Sequence, residues 1–162
     1  MLIVFLTALS FPSRGIIILC AGDSLTDSEY PGKDVRVDSD HTSVDAFAGK
    51  MRAIIGLFRE FTDRRGEKAR ILLATIPPLP ARHSAPFGPE SAGRVVKEIN
   101  PLIRKIAAEE RLVLVDNYAI FLRSPELLPD VHPTSAGYRL LVRNWHEALK
   151  PLRPGIEVRP RK

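Results

Sequence analysis

A single cysteine, Cys20, is all that the 162 residues contain. That excludes a disulfide framework within the chain and any metal site built from several thiolates. Cys20 ends an apolar run, so a buried thiol in a reducing compartment fits it better than a reactive one. No apolar run is long enough to cross a bilayer, so no membrane span is expected. The opening MLIVFLTALSFPSRG has no preceding Lys or Arg, and no Ala-x-Ala site follows it, so it does not make a secretory signal. Leu19 is too bulky for a lipoprotein site before Cys20. The reading favours a cytoplasmic protein and leaves secretion open.

Aromatic residues are absent from the basic clusters at Arg64-Arg65, Lys68 to Arg70 and Arg153 to Lys162. Bases would have nothing to stack on there, and the net charge of +5 is scattered. These clusters read as solvated helix ends and a tail. No nucleic-acid partner is expected, and a basic non-enzymatic binding module stands only as an alternative. A chain of this length fits one domain, placed here at residues 1–152, with 153–162 as a basic tail.

What the sequence does hold is alternation. GIIILC, residues 15–20, and ARILLATI, residues 69–76, read as buried parallel strands, and RLVLVD, residues 111–116, as a third. Residues 43–65 carry apolar side chains at helical spacing. A second helix is expected over about 92–111, with a kink or break at Asn100 because Pro101 follows. Residues 77–91, rich in proline, read as a loop. A last helix is expected from about Thr134, with Tyr138, Leu141, Val142, Trp145 and Leu149 on its inner side. Strand, helix, strand, helix, strand, helix implies a parallel sheet covered on both faces. In such sheets the chemistry gathers at the carboxyl ends of the strands.

Two stretches bear on that edge. In GDSLT, Ser24 follows the first strand. Ser24-Leu25-Thr26-Asp27 also fits a helix cap, so the serine alone is open to both readings. In LPDVHPTSAGY, Asp130 and His132 stand together before the last helix, and His132 alone of four histidines has an acid beside it in a strand-to-helix loop. Serine hydrolysis needs a nucleophile, a base, an acid that orients the base, and donors for the oxyanion. A surface histidine near a helix start is the plain alternative for His132. The acidic DSDH, residues 38–41, reads as a polar loop and not a metal site.

GDSLT and DVHPTSAGY, with ILLATIPPLP and VVKEINPLIRKIAAEERLVLVDNYAIF between them, resemble the GDSL, or SGNH, hydrolases over most of residues 15–150. The resemblance implies an α/β fold, a three-layer α/β/α sandwich of flavodoxin-like type, and ester hydrolysis through an acyl-serine. It implies Ser24 as nucleophile, with its backbone N–H as an oxyanion donor, His132 as base and Asp130 as orienting acid. A small acyl or acetyl ester would be the substrate, with no metal and no cofactor.

The sequence departs from the family in two places. The family's other oxyanion donors, a glycine N–H and the asparagine of Gly-x-Asn-Asp, belong between the serine and the next long helix. That interval is Leu25 to Thr42, 18 residues, and a βαβ unit needs roughly 30. A strand–helix–strand piece is therefore missing, and the sheet is expected to be short, with about three or four strands. Lys33, in PGKDV, stands nearest the asparagine's place, but a flexible ammonium is a poor substitute for a fixed donor. Exposed apolar surface and self-association are expected to follow. The second departure is the acid, two residues before His132 where the family has three. Asn100, where the family often has an asparagine, is assigned a structural role. Impaired hydrolysis is the reading adopted, with a catalytically inactive truncated member as its alternative.

Overall fold

The computed structural model of the chain describes residues 5–9, 16–21, 42–62, 66, 68–79 and 89–152. Among these, four strands form one sheet in the order β1 (Phe5–Leu9), β2 (Ile16–Ala21), β3 (Leu72–Ala74), β4 (Val113–Val115). β2, β3 and β4 run parallel, with Cys20 opposite Leu72, and Leu73 opposite Leu114. β1 is antiparallel to β2, with Phe5 opposite Cys20 and Leu9 opposite Ile16. The sequence predicts a purely parallel sheet and no strand at the N-terminus. β1 corrects that: the short connection from Leu9 to Ile16 permits an antiparallel return, whereas a parallel crossover needs a dozen residues or more.

β3 shows why the sheet is a middle layer. Leu72, Leu73 and Ala74 are all buried, as expected for a strand covered on both faces. Leu73 faces α1 (Val44–Arg59) and α3 (Asn100–Glu109), packing with Phe47, Met51, Ile55, Ile103 and Ile106. Leu72 and Ala74 face the other way with Val115, against Trp145, Ala148 and Leu149 of α5 (Ser135–Leu149). Alternate residues of one strand thus supply two cores, and a three-layer α/β/α sandwich results.

The helices keep their expected places with altered ends. α1 stops at Arg59 and not near 65. Ser43 caps it, its side chain accepting the Ala46 N–H. The second helical stretch begins at Pro89, inside the predicted loop. It runs as α2 (Pro89–Arg94), a π-helical turn (Val95–Ile99) and α3. The break expected at Asn100 is that π turn. Pro101 has no N–H for the carbonyl four residues back, and the wider turn accommodates its ring. Arg111, at φ 53°, ends α3 in the left-handed region, while the Leu112 N–H returns to the Ala107 carbonyl. A short α4 (Asn117–Leu122), absent from the sequence reading, follows β4 directly and is capped by Asp116.

α5 also corrects one expectation. Leu141, Trp145 and Leu149 pack inward, but Tyr138 and Val142 are 52% and 69% exposed. Tyr138 and Val142 lie one heptad before Trp145 and Leu149, on the half of the helix that packs on Ile120, Phe121 and Leu128 through Leu140 and Leu141 and not on the sheet. No described helix is long and apolar enough to cross a membrane. The tail at 153–162 and the side chain of Cys20 lie outside the described residues.

Candidate active site

The carboxyl ends of β3 and β4 are tied together by a single polar residue inside an apolar run. Thr75 is buried. Its hydroxyl donates to Asp116 Oδ1 at 2.9 Å and accepts the Tyr118 N–H at 2.9 Å. Asp116 also accepts the Ala119 N–H at 3.1 Å and pairs with Arg104 of α3 at 2.8 Å. Partial burial pushes the Asp116 carboxyl upward. The Ala119 N–H, the Arg104 guanidinium and the Thr75 hydroxyl outweigh that and hold it below its ordinary value. The sequence pattern puts Asp116 at the end of the third strand, and neither Thr75 nor Arg104 stands out in it. The available signal was a lone threonine in LLATI.

The loop after β3 is fixed by Asn100, which is buried in the π-to-α junction. Its Oδ1 accepts the Ile76 N–H at 2.8 Å, and its Nδ2 donates to the Ile76 carbonyl at 2.9 Å. This is the structural role expected of it.

α5 carries the other half of the site. Asn144 donates to the side chain of Asn117 at 3.0 Å, level with the end of β4. The half of α5 beyond that point toward the C-terminus lies on the sheet. The half before it packs Leu140 and Leu141 against Ile120, Phe121 and Leu128, and so stands past the sheet's carboxyl edge. Thr134 caps this end by accepting the Gly137 N–H at 3.1 Å, and its own N–H donates to the Leu127 carbonyl at 2.9 Å. That second bond closes the neck of a loop over residues 127–134.

Asp130 and His132 sit in this loop. One carboxylate oxygen, Asp130 Oδ1, accepts the His132 backbone N–H at 2.5 Å and lies 3.3 Å from His132 Nδ1. The two-residue spacing, a departure from the family, thus forms a tight side-chain turn. A carboxylate facing Nδ1 favours the tautomer with hydrogen on Nδ1, which leaves Nε2 free to take a proton. Both side chains are about two-thirds exposed, at 67% and 65%, so water screens the pair.

Ser24 and Lys33 lie outside the described residues, as does the 38–41 loop. Ser24 follows Ala21, the last residue of β2, by three positions. β2 ends on the same edge as β3 and β4, the edge past which the His132 loop stands.

Residues 34–140 match the GDSL-like Lipase/Acylhydrolase family. The match includes Asp130 and His132 and begins ten positions after Ser24. Among solved structures, the chain is similar to Axe2, an acetylxylan esterase from Geobacillus stearothermophilus, at 22% identity and a TM-score of 0.53. A catalytic mutant of that enzyme, with an aspartate changed to alanine, gives a TM-score of 0.52 at the same identity. So does a second catalytic mutant, with a serine changed to alanine. Each comparison covers 75% of this chain and 52% of the other, so the chain spans about half the length of those relatives. No curated protein matches.

Proposed function

Since the chain belongs to the GDSL-like lipase/acylhydrolase family, we propose that it is a serine hydrolase that cleaves ester bonds through an acyl-serine, with Ser24 as nucleophile, His132 as base and Asp130 as orienting acid. The observation that carries this reading is the Asp130–His132 pair standing past the carboxyl edge of a parallel sheet. The neighbouring acetylxylan esterase, in which a serine and an aspartate mutant are each called catalytic, supports it. It also makes a short acyl ester of a sugar the substrate class to try first.

His132 Nε2 takes the Ser24 hydroxyl proton as Oγ bonds to the ester carbonyl carbon. The carbonyl electron pair moves to oxygen, held by the Ser24 N–H and by Lys33. The pair returns, the carbon–alkoxy bond breaks, and the imidazolium gives its proton to the leaving alcohol. Water then attacks the acyl-serine by the same route, releasing the acid and restoring Ser24.

The oxyanion side is weak. With the glycine N–H and the asparagine amide absent, turnover about ten-thousandfold below an intact relative is expected, since each lost donor typically costs about a hundred- to a thousandfold. The 18-residue interval supports this reading, and it equally favours the second one, an inactive truncated member. The test is a fluorophosphonate probe together with nitrophenyl acetate and an acetylated xylo-oligosaccharide. Slow labelling, lost in Ser24→Ala and in His132→Ala, with little turnover, is the expected result. Labelling that persists in Ser24→Ala overturns the assignment. No labelling of the parent chain favours the inactive member.

A further inference from the structure

Gly137 lies in the first turn of α5, where a methyl group would have no room. A β-carbon built there falls 2.5 Å from the Leu127 carbonyl oxygen, 2.8 Å from Pro133 Cβ and 3.3 Å from Phe121 Cε1. The first of these is backbone, and it is the same oxygen that accepts the Thr134 N–H at the neck of the loop. The Gly137 N–H is in turn held by the Thr134 hydroxyl. Gly49 of α1 meets nothing within 4 Å in the same test. Close approach at Gly137 is therefore particular to this turn.

We propose that Gly137 is a positioning residue for His132: the missing side chain lets α5 close against Leu127 and Pro133, and that contact sets the loop from which the imidazole projects. The His132 side chain is about two-thirds exposed, and the polar partner its ring has among the described residues, Asp130, belongs to the same loop. Its direction is thus inherited from the loop, and the loop's shape from its neck. A β-carbon at 137 pushes the neck open, and the base moves with it. A displacement near 1 Å is enough to cost about a hundredfold in rate.

The inference rests on the reading of His132 as base, so its test has an arm independent of chemistry. In Gly137→Ala, amide exchange at Thr134 and His132 is expected to quicken at least tenfold while the amides of β3, β4 and the Trp145–Leu149 turn stay as protected as before. Unchanged exchange at Thr134 overturns the proposal. Fluorophosphonate labelling is expected to fall roughly a hundredfold in Gly137→Ala and to stay at the parent rate in Gly49→Ala. Added imidazole is expected to restore part of the labelling in Gly137→Ala as in His132→Ala, because solvent then supplies the misplaced base. A Gly137→Ala protein that labels at the parent rate, or whose labelling imidazole leaves untouched, overturns the positioning role. Should Gly137→Ala fail to fold, Thr134→Ala loosens the same turn without adding atoms, and a severalfold, imidazole-sensitive loss is expected there; parent-rate labelling overturns the proposal. If His132→Ala labels as fast as the parent, the base assignment and the catalytic half of this inference fall together, and the exchange arm alone decides what Gly137 does to the loop.

Discussion

The side-chain amide of Asn100 pairs with the backbone of Ile76 in both directions, accepting its N–H and donating to its carbonyl. The amide thereby continues the hydrogen bonding of β3 where β4 has given way to α4. Asn100→Ala leaves two buried backbone groups without partners, each costing about 1–3 kcal/mol. A loss of about 3 kcal/mol in denaturant unfolding is expected. Asn100→Asp is expected to be no better, because a second oxygen then faces the Ile76 carbonyl.

Asp116 gives the protein an acid-sensitive clasp. Its carboxyl is held below the ordinary value of 3.8 in the folded chain. A group with a lowered folded value binds protons more readily when unfolded, so its contribution is present above the ordinary value and is lost as pH falls through the folded one. Unfolding measured from pH 7 down through pH 3 is expected to show stability falling over the lower part of that range. Asp116→Asn is expected to cost about 1–3 kcal/mol at pH 7 and to flatten that fall. A variant with the parent's pH profile would show that other carboxylates govern it.

Arg111 occupies a left-handed conformation that suits glycine, at φ 53°. A side chain there costs about 1–2 kcal/mol. Arg111→Gly is expected to raise stability by up to about 1 kcal/mol, since glycine loses more freedom on folding. Thermal unfolding of the two proteins side by side measures it, and a lowered midpoint would mean that the arginine side chain does more than its geometry implies.

Asp130 has two jobs, and two substitutions separate them. Asp130→Asn keeps an oxygen for the His132 N–H and loses only the charge beside the ring. An exposed pair is worth about 0–1 kcal/mol, so fluorophosphonate labelling is expected to fall no more than about fivefold. Asp130→Ala also removes the turn and is expected to fall further. Equal losses in the two variants would mean that charge and not the turn matters.

Tyr138 and Val142, one turn apart on α5, are each more than half exposed, and adjoining apolar surface of this kind favours self-association. Sedimentation is expected to show dimers that weaken in Tyr138→Thr/Val142→Lys. A parent protein that stays monomeric at all concentrations removes this expectation.

The sequence by itself determined the layers. The apolar runs at 16–20 and 71–76 carry no polar face, so they had to be covered on both sides, and Ser43, Thr134 and Pro101 marked helix starts and a break through local chemistry alone. It also placed Asp130 and His132 at a helix entrance, because two residues that close cannot be separated by folding. Tertiary structure decided what depends on distant partners. β1 exists only because β2 offers it an edge, and α4 was obscured because its cap, Asp116, reads as the end of a strand. Tyr138 and Val142 share a stripe with Trp145 and Leu149 yet are exposed, since the sheet ends before it reaches their half of α5, and where the sheet ends is not written in the helix's own sequence. Gly137 looked like any helical glycine until the Leu127 carbonyl arrived beside it. Contacts ten or more residues apart are fixed by which surfaces pack, and a pattern of neighbours along the chain does not carry that information.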